Sequence, residues 1–260
     1  MTPVTVGWTQ LHDEALDIVE TAADAGVTLR VVGSTGIRLH CPAAEALMLQ
    51  VGRQAKDIDF VVPKKDRKGM RQCLEDRGYV VDRDLLVAME GMRYSFVDPH
   101  AGIELDVFVE SLQFNHTIEV RDRLDRHPVA LSPDDLLLAK LQIVKATPTD
   151  LSDAAILLGT HPVTASGAGP EELDATYLAG VLAGDWGFHH TAVTNMAKIA
   201  DATNDASDLG AETNRVILDR LDALATAIDS APKSRRWRLR ACVGERIQWW
   251  QDVDEREATY

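Results

Sequence analysis

Acidic side chains at positions 57, 59 and 106 are the residues whose type and spacing best suit chemistry. Asp57 and Asp59 open one apolar run, and Asp106 lies between apolar neighbours in a second run. Residues i and i+2 of a β-strand share a face, so the first two carboxylates project together. If the two runs pair, the carboxylates meet at one edge of a sheet, where like charges repel. Such a cluster of hard oxygen ligands suits Mg²⁺ or Mn²⁺.

A loop of small residues precedes these acids. Gly33, Ser34 and Thr35 follow a β-branched run and lead into a short helical segment. A glycine lets the backbone approach a triphosphate, and N–H and hydroxyl groups at a helix start can receive the anion. Either motif alone is common on solvated surfaces. In this order, they predict a nucleoside triphosphate beside two divalent ions that clamp an in-line displacement.

Further charged residues are candidates for phosphate binding or for positioning. The guanidinium groups of Arg38 and Arg53 suit phosphate oxygens, although the pattern around Arg38 favours a solvated surface position. Lys140 fits phosphate neutralisation or an ordinary place on an amphipathic helix. Asp150 and Asp153 share one helix face and could orient Lys140 or an acceptor. Asp150 equally fits a helix N-terminus, which favours acids.

Histidine and cysteine spacing gives no support for a transition metal. Cys41, Cys73 and Cys242 are isolated and form no CxxC pair, and no cysteine or histidine complements His40 or the pair at 189–190 at ligand spacing. Free cysteines, no secretory signal and no long apolar run predict a cytoplasmic protein without a membrane partner.

Composition and charge describe an ordinary folded chain with two local basic segments. The 260 residues include 45% hydrophobic residues and carry a formal net charge of −14, which excludes a generally basic nucleic-acid surface. Residues 64–71 could steer a polyanionic acceptor or form a solvated helix face. Residues 233–240 fit nucleic-acid binding. The sequence favours instead a last helix that buries Trp237, Ala241 and Ile247 and leaves its arginines in solvent.

The order of predicted elements indicates an α+β fold with a small mixed sheet followed by a helical bundle. A length of 260 residues suits one large domain or two small ones. We expect a catalytic α/β domain over 1–130 and a helical domain over 131–260, with a small-residue linker near 161–170. The predicted strands are Leu29–Val32, Ile58–Val62, Arg93–Asp98 and Ile103–Val109. The predicted helices are 11–25, 64–77, one that Ser132 and Pro133 open, 171–184, 190–203, 211–230 and 234–252.

The loop, the acid pair and the later acid together resemble the nucleotidyltransferase superfamily over roughly residues 28–158. The sequence looks most like the AbiEii-type nucleotidyltransferases, which include toxins of type IV toxin–antitoxin systems. Their pattern is a GGT-like loop, an Arg-x-Ser-x-Asp-x-Asp run, and a helix lysine followed by Arg-Asp-x-x-Asp. Here Ser34 replaces the second glycine, Ala55 the serine and Thr149 the arginine.

The resemblance implies Mg²⁺-dependent transfer of a nucleoside monophosphate from a nucleoside triphosphate, with release of pyrophosphate. It implies that Gly33, Ser34, Thr35 and Arg53 bind the nucleotide and that Asp57, Asp59 and Asp106 hold the metal, Asp106 also serving as base. Lys140, Asp150 and Asp153 would complete the catalytic set. The acceptor would be a tRNA 3′ end, with a cognate antitoxin as partner, or a small molecule as in antibiotic-modifying members. A non-catalytic nucleotide-binding or partner-binding module is the remaining alternative.

Overall fold

The computed structural model describes residues 7–44, 57–165, 167, 169–206 and 210–252. The chain divides into two compact units. The first unit comprises Met1–Leu112 and Glu119–Ser132, and the second comprises Gln113–Ile118 and Pro133–Tyr260. The structure is α+β with a small mixed sheet and many helices, which confirms the predicted fold class at that level.

The first unit is built on a five-stranded sheet. Its strands are β1 (Arg30–Val32), β2 (Asp57–Val62), β3 (Val80–Val81), β4 (Arg93–Val97) and β5 (Glu104–Val109). Their order is β1-β2-β5-β4-β3, and only β2 and β5 pair in parallel. The four predicted strands match to within one residue at each end. Val80–Val81 is too short to give an alternating pattern, and the sequence analysis missed it.

Alternation along the central strands gives the sheet two different faces. On one face the apolar residues of β2 and β5 are fully buried: Ile58, Phe60, Val62, Leu105, Val107 and Val109. Helices α1 (Trp8–Asp24) and α3 (Arg67–Asp76) contribute apolar side chains to the same core. The alternate positions at the beginning of β2 and β5 carry the acids. Because successive strand residues point to opposite faces, burying one set brings the other set to the opposite surface.

Turns and helix ends of the first unit follow local chemistry. Asp98 Oδ1 accepts hydrogen bonds from the N–H groups of His100 (2.7 Å) and Ala101 (3.1 Å), and Gly102 has φ +70°. This turn joins β4 to β5 as the sequence predicted. Helix α2 (Gly33–His40) follows β1 directly, and α4 (Arg83–Ala88) begins at the cap Asp82.

The second unit is mainly helical. Its helices are α5 (Pro133–Leu141), α6 (Pro148–Thr160), α7 (Ala175–Gly184), α8 (Trp186–Asp205), α9 (Ala211–Ser230) and α10 (Arg235–Val243). Two residue pairs, β8 (Val163–Thr164) and β9 (Leu173–Asp174), form a short parallel ladder. Strands β6 (Ser111–Gln113) and β7 (Thr117–Glu119) form another two-stranded sheet. None of the described helices has the length and apolar character needed to span a membrane.

The structure corrects two sequence predictions in this unit. The helix predicted over 171–184 begins only at Ala175, because β9 precedes it; two-residue ladders are too short to leave a periodic pattern. The helix predicted over 234–252 ends at Val243, because Gly244 adopts a positive φ of +58° and breaks the helical path. Helix α9 begins and ends where the sequence predicts, at 211 and 230.

Candidate functional site

The predicted acids of the first unit lie on neighbouring strands. In the parallel register of β2 and β5, Asp59 stands beside Asp106 and Asp57 stands beside Glu104. Paired residues of adjacent strands share a face, and their Cα atoms are about 5 Å apart. Asp57, Asp59 and Asp106 are half-buried, whereas Glu104 is exposed. The sheet therefore brings Asp57, Asp59 and Asp106 together on one face, at the beginnings of the neighbouring strands β2 and β5; we call this group the acidic edge. The partial burial of each carboxylate strengthens their mutual repulsion.

Gly33 lies against one of these carboxylates. It follows Val32, which pairs with Asp59 across β1 and β2. A Cβ atom on Gly33 would stand 2.2 Å from Asp59 Oδ2, and its φ of +63° lies in the left-handed region. Both the contact and the backbone conformation require glycine here. The backbone at the beginning of α2 is thus in direct reach of the acidic edge.

We expect Gly33→Ala to be more damaging than a glycine replacement at a similar φ elsewhere in the same unit. The matched control is Gly26→Ala, since Gly26 has φ +72° and nothing within 4 Å of an added Cβ. The control should lose about 1 kcal/mol of unfolding free energy from backbone strain alone. Gly33→Ala should lose a further 1–3 kcal/mol, roughly the cost of overpacking, because Asp59 must move. Urea unfolding measures both; equal losses in the two variants would show that the Asp59 contact is unimportant.

The other two loop residues occupy different environments. Ser34 is half-buried in the first turn of α2, where its hydroxyl is accessible in part. Thr35 is only 2% exposed, and its Oγ1 makes no hydrogen bond to any residue that the structure describes. Of the two predicted hydroxyl ligands, Ser34 therefore belongs to the more exposed residue.

Arg93 belongs to this site although the sequence analysis did not select it. Its Nη2 donates to Asp106 Oδ2 at 2.7 Å, and its Cζ lies 5.1 Å from the centroid of the Phe108 ring. Arg93 of β4 pairs with Phe108 of β5. Phe108 lies two residues after Asp106 and therefore on the same face of the sheet, which brings Arg93 within reach of Asp106. No local motif marks this arginine, because only the antiparallel register of β4 and β5 joins it to the acid.

The residues of this edge fit a divalent cation. Carboxylate oxygens are the ligands that Mg²⁺ and Mn²⁺ take in proteins, and Asp57, Asp59 and Asp106 offer several on one face. The absence of a side chain at Gly33 lets the Asp59 carboxylate lie against the backbone, where an added Cβ would stand 2.2 Å from Asp59 Oδ2. Three carboxylates on one face attract a cation, and Arg93 already bonds to one of them.

Lys140, Asp150 and Asp153 form a separate buried cluster in the second unit. Lys140 Nζ lies 3.0 Å from Asp150 Oδ1 and 3.0 Å from Asp153 Oδ2. Lys140 is 7% exposed, Asp150 3% and Asp153 1%. Both aspartates thus contact the lysine, as the i, i+3 spacing on one helix face predicted. The same contacts give Lys140 a structural role, since its charge neutralises two buried carboxylates.

Asp150 also caps the helix that carries it. Thr147 Oγ1 accepts from the N–H of Asp150, and Asp150 Oδ2 accepts from the N–H of Thr147, which is a capping box. Burial alone would raise the pKa of Asp150, but the charge of Lys140 and the hydrogen bonds from Thr147 lower it below the ordinary aspartate value. Both sequence interpretations of Asp150, as a partner of Lys140 and as a helix-start acid, therefore describe the same side chain.

Of the two arginines predicted to bind phosphate, Arg38 lies within the described residues and Arg53 does not. Arg38 is 6% exposed, and its Cζ lies 4.5 Å from the Trp8 ring centroid. The expected solvated position is therefore wrong; the arginine stem and guanidinium are covered by α1, which periodicity within the short α2 could not indicate. Arg53 and Ala55 lie outside the described residues.

The histidines noted in the sequence make protein contacts. His40 Nε2 lies 2.8 Å from the carbonyl oxygen of Leu131. His190 stacks on Trp186 at 5.0 Å and lies 3.0 Å from Glu245 Oε1. His189 meets the edge of an aromatic ring in the last helix, and its burial lowers its pKa.

The last helix exposes its charge. Arg235, Arg236 and Arg238 are exposed and form no ion pair with any acid in the part of the chain that the structure describes. No residue of α10 is buried, and Ile247 is 63% exposed, so the predicted apolar face of Trp237, Ala241 and Ile247 is wrong. The helix end at Gly244 removes Ile247 from that face.

Arg240 differs from the other arginines of α10. Its Nη1 donates to the carbonyl of Gly244 at 2.7 Å, and its Cζ lies 4.6 Å from the Trp186 ring centroid. Trp249 Nε1 donates to Thr191 Oγ1 at 3.1 Å. Arg240 and Trp249 therefore fix the helix and the segment after it on α8, while the exposed arginines stay available to solvent.

Comparisons with solved structures find similarities, two of which are described here. No protein-family model and no curated protein matches the chain. The solution structure of the antibiotic-resistance factor ANT(2'')-Ia is similar at 12% identity and a TM-score of 0.39, over 85% of this chain and 96% of that one. The crystal structure of an antigenic nucleotidyltransferase-like protein from Paracoccidioides brasiliensis is similar at 12% identity and a TM-score of 0.42, over 88% of this chain and 96% of that one.

Proposed function

We propose that this protein is a nucleotidyltransferase that uses Mg²⁺ or Mn²⁺ and transfers a nucleoside monophosphate from a nucleoside triphosphate to an acceptor hydroxyl. One observation carries the proposal: Asp59 stands beside Asp106 in the sheet, and the backbone of Gly33 lies against the Asp59 carboxylate. The predicted phosphate-binding loop and the predicted metal ligands are thereby neighbours, which supports this proposal. The motif order that resembles the nucleotidyltransferase superfamily supports the same reading.

Each residue has a role that its position permits. Gly33 and Ser34 present backbone N–H groups and a hydroxyl to the triphosphate at the beginning of α2. Asp57, Asp59 and Asp106 would hold the divalent cation, which when bound would supply positive charge to the transferred phosphoryl group. The acceptor oxygen attacks the α-phosphorus, the bond to the β-phosphate breaks and pyrophosphate leaves. The hydroxyl proton passes to Asp106, whose Oδ2 already accepts a hydrogen bond from Arg93.

The charge pattern at the site suits this reaction. Phosphoryl transfer asks for positioning and charge stabilisation rather than covalent participation of the protein. Asp57, Asp59 and Asp106 place like charges side by side on one face of the sheet, an arrangement that favours binding of a cation. A non-catalytic module of the same fold would have no need to keep them together.

Incubation with α-labelled nucleoside triphosphates tests the proposal directly. The folded protein is supplied with Mg²⁺ and, in separate reactions, total RNA or a pool of small metabolites. We expect label to enter one of the two pools and pyrophosphate to appear in equal amount, and chelation with EDTA to stop both. Absence of label transfer and of nucleotide binding by folded protein would overturn the proposal.

We extend the proposal to the acceptor, which we infer to be RNA, such as a tRNA 3′ end. The exposed arginines of α10 support this, because a chain of net charge −14 needs a local positive surface to approach a polyanion. The resemblance to AbiEii-type toxins supports the same acceptor and a cognate antitoxin as partner. A small-molecule acceptor is the alternative that the test must separate.

Neutralising α10 should separate the two acceptors. We expect Arg235→Gln, Arg236→Gln and Arg238→Gln in one protein to weaken RNA labelling at least about tenfold and to reduce its salt dependence, because counterion release falls with each lost contact. Labelling of a small molecule should not change. The charge-matched control carries Lys64→Gln, Lys65→Gln and Lys68→Gln, three exposed lysines of the first unit.

Two outcomes would contradict the RNA assignment. Equal losses in the α10 variant and the lysine variant would show that α10 contributes no more than the basic segment 64–71 or the overall charge, and would overturn the assignment of the acceptor to α10. Unchanged labelling of RNA by the α10 variant would show that this helix does not contact the acceptor. Circular dichroism confirms that both variants fold, which is expected because none of the six side chains is buried.

A further inference from the structure

Arg93 is a buried cation inside the acidic edge. Its side chain is 8% exposed and that of its partner Asp106 is 13% exposed. The guanidinium donates from Nη2 to Asp106 Oδ2 at 2.7 Å and lies over the Phe108 ring at 5.1 Å. An arginine held on an aromatic face and bonded to a carboxylate is fixed in orientation.

The position of Arg93 matters because Asp106 is also a predicted metal ligand. Asp106 stands beside Asp59, whose carboxylate touches the Gly33 backbone. A positive group bonded to one oxygen of Asp106 lowers the negative charge of the edge by one unit. It also occupies an oxygen that a divalent cation would otherwise coordinate.

We propose that Arg93 is a built-in counter-cation that holds Asp106 in the metal-free protein and competes with the divalent cation for that carboxylate. The inference rests on the proposed function, since it concerns the same acids. Arg93 is a positioning residue: it acts through Asp106 and stabilises the acidic cluster when no metal is bound. Without it, Asp106 loses a cation 2.7 Å away while it stands beside the like charge of Asp59.

This competition has a consequence for loading. The protein alone binds a divalent cation weakly, because one of its carboxylates is already neutralised. The phosphates of a nucleoside triphosphate add several negative charges beside the same edge and shift the balance toward the metal. Nucleotide and metal therefore bind together, and the free protein does not hold the metal in advance.

Direct Mn²⁺ binding, measured by electron paramagnetic resonance without nucleotide or acceptor, tests the inference. We expect Arg93→Gln to bind Mn²⁺ about tenfold more tightly than the wild type, because a unit charge next to a divalent ion is removed. Arg93→Lys keeps the charge and should bind within about threefold of the wild type. A residue that merely supported the fold would weaken Mn²⁺ binding on replacement, so the direction of the change is diagnostic.

Thermal unfolding gives a second readout. Metal-free Arg93→Gln should have a lower unfolding midpoint than the metal-free wild type. Saturating Mn²⁺ should raise the midpoint of this variant by more than it raises that of the wild type. If Arg93→Gln does not fold even with Mn²⁺, the double variant Arg93→Gln/Asp106→Asn should fold, because the uncompensated charge is gone. A double variant that also fails to fold would overturn the inference, since Arg93 would then be needed for packing on Phe108.

The outcomes separate this inference from the proposed function. Tighter Mn²⁺ binding by Arg93→Gln without any nucleotide transfer by the wild type would sustain the inference and overturn the function. Unchanged or weaker Mn²⁺ binding by Arg93→Gln, with active wild type, would overturn the inference alone. If neither protein binds Mn²⁺, the metal site and the inference both fail.

Discussion

Asp59→Asn should lower the rate of nucleotide transfer by about a thousandfold, which corresponds to ~4 kcal/mol of activation free energy. Asparagine keeps the shape of the side chain but removes the negative charge with which Asp59 would hold the proposed divalent cation. The protein should remain folded with an equal or higher unfolding midpoint, because one of several crowded like charges is gone. Label transfer under saturating nucleotide and thermal unfolding measure the two effects on the same sample.

Asp59 is a cleaner choice than Asp106 for this experiment. Replacing Asp106 would also leave the buried Arg93 without its carboxylate and would mix a structural loss with the chemical one. The matched control is Glu104→Gln, which removes a charge from the same face at an exposed position and should change the rate by no more than about twofold. Equal losses at positions 59 and 104 would show that the rate follows general surface charge, and full activity of Asp59→Asn would refute the metal site.

Lys140→Met should lower the free energy of unfolding by about 3–5 kcal/mol, the usual cost of removing one partner from a buried ionic cluster. Asp150 and Asp153 would remain buried without the cation that lies 3.0 Å from each. Denaturant unfolding at neutral pH measures the loss. Because the folded-state pKa of Asp150 is lowered, its pairing stabilises the protein above the ordinary aspartate pKa and loses that effect as the pH falls. The difference between variant and wild type should therefore shrink in acid.

A nearby exposed lysine provides the comparison. Lys145→Met removes the same charge and chain length at an exposed position and should stay within about 0.5 kcal/mol of the wild type. Adding Asp150→Asn and Asp153→Asn to Lys140→Met should restore part of the stability, since the uncompensated charges are removed. A Lys140→Met protein with wild-type stability and no transfer activity would instead assign Lys140 to the nucleotide phosphates, as its resemblance to the family lysine implies.

Strands and turns were the most predictable part of this fold. The alternation in residues 57–62 places apolar side chains on the core face and acids on the other, and this period of two is a local property. The turn at Asp98 and Gly102 likewise follows from the conformations that these residues favour. Short elements such as β3, and the helix end at Gly244, escaped prediction because two residues carry no period and a pattern alone does not reveal a positive φ.

Helix faces were harder to predict than strand faces. Arg38 was expected in solvent and is buried under Trp8, while Ile247 was expected in a core and is exposed. Trp8, which is distant in sequence, decided the burial of Arg38, whereas the exposure of Ile247 follows from the end of α10 before Gly244.

By itself, the sequence determined which acids share a face and that a glycine loop precedes them, because both follow from strand periodicity and from the order of residues along the chain. Only the tertiary structure decided that Asp59 stands beside Asp106, that Gly33 touches Asp59 and that Arg93 bonds to Asp106. It also decided that Lys140 neutralises two buried aspartates. Such contacts depend on strand register and helix packing, which bring together residues far apart in the chain and are set by burial of the whole core.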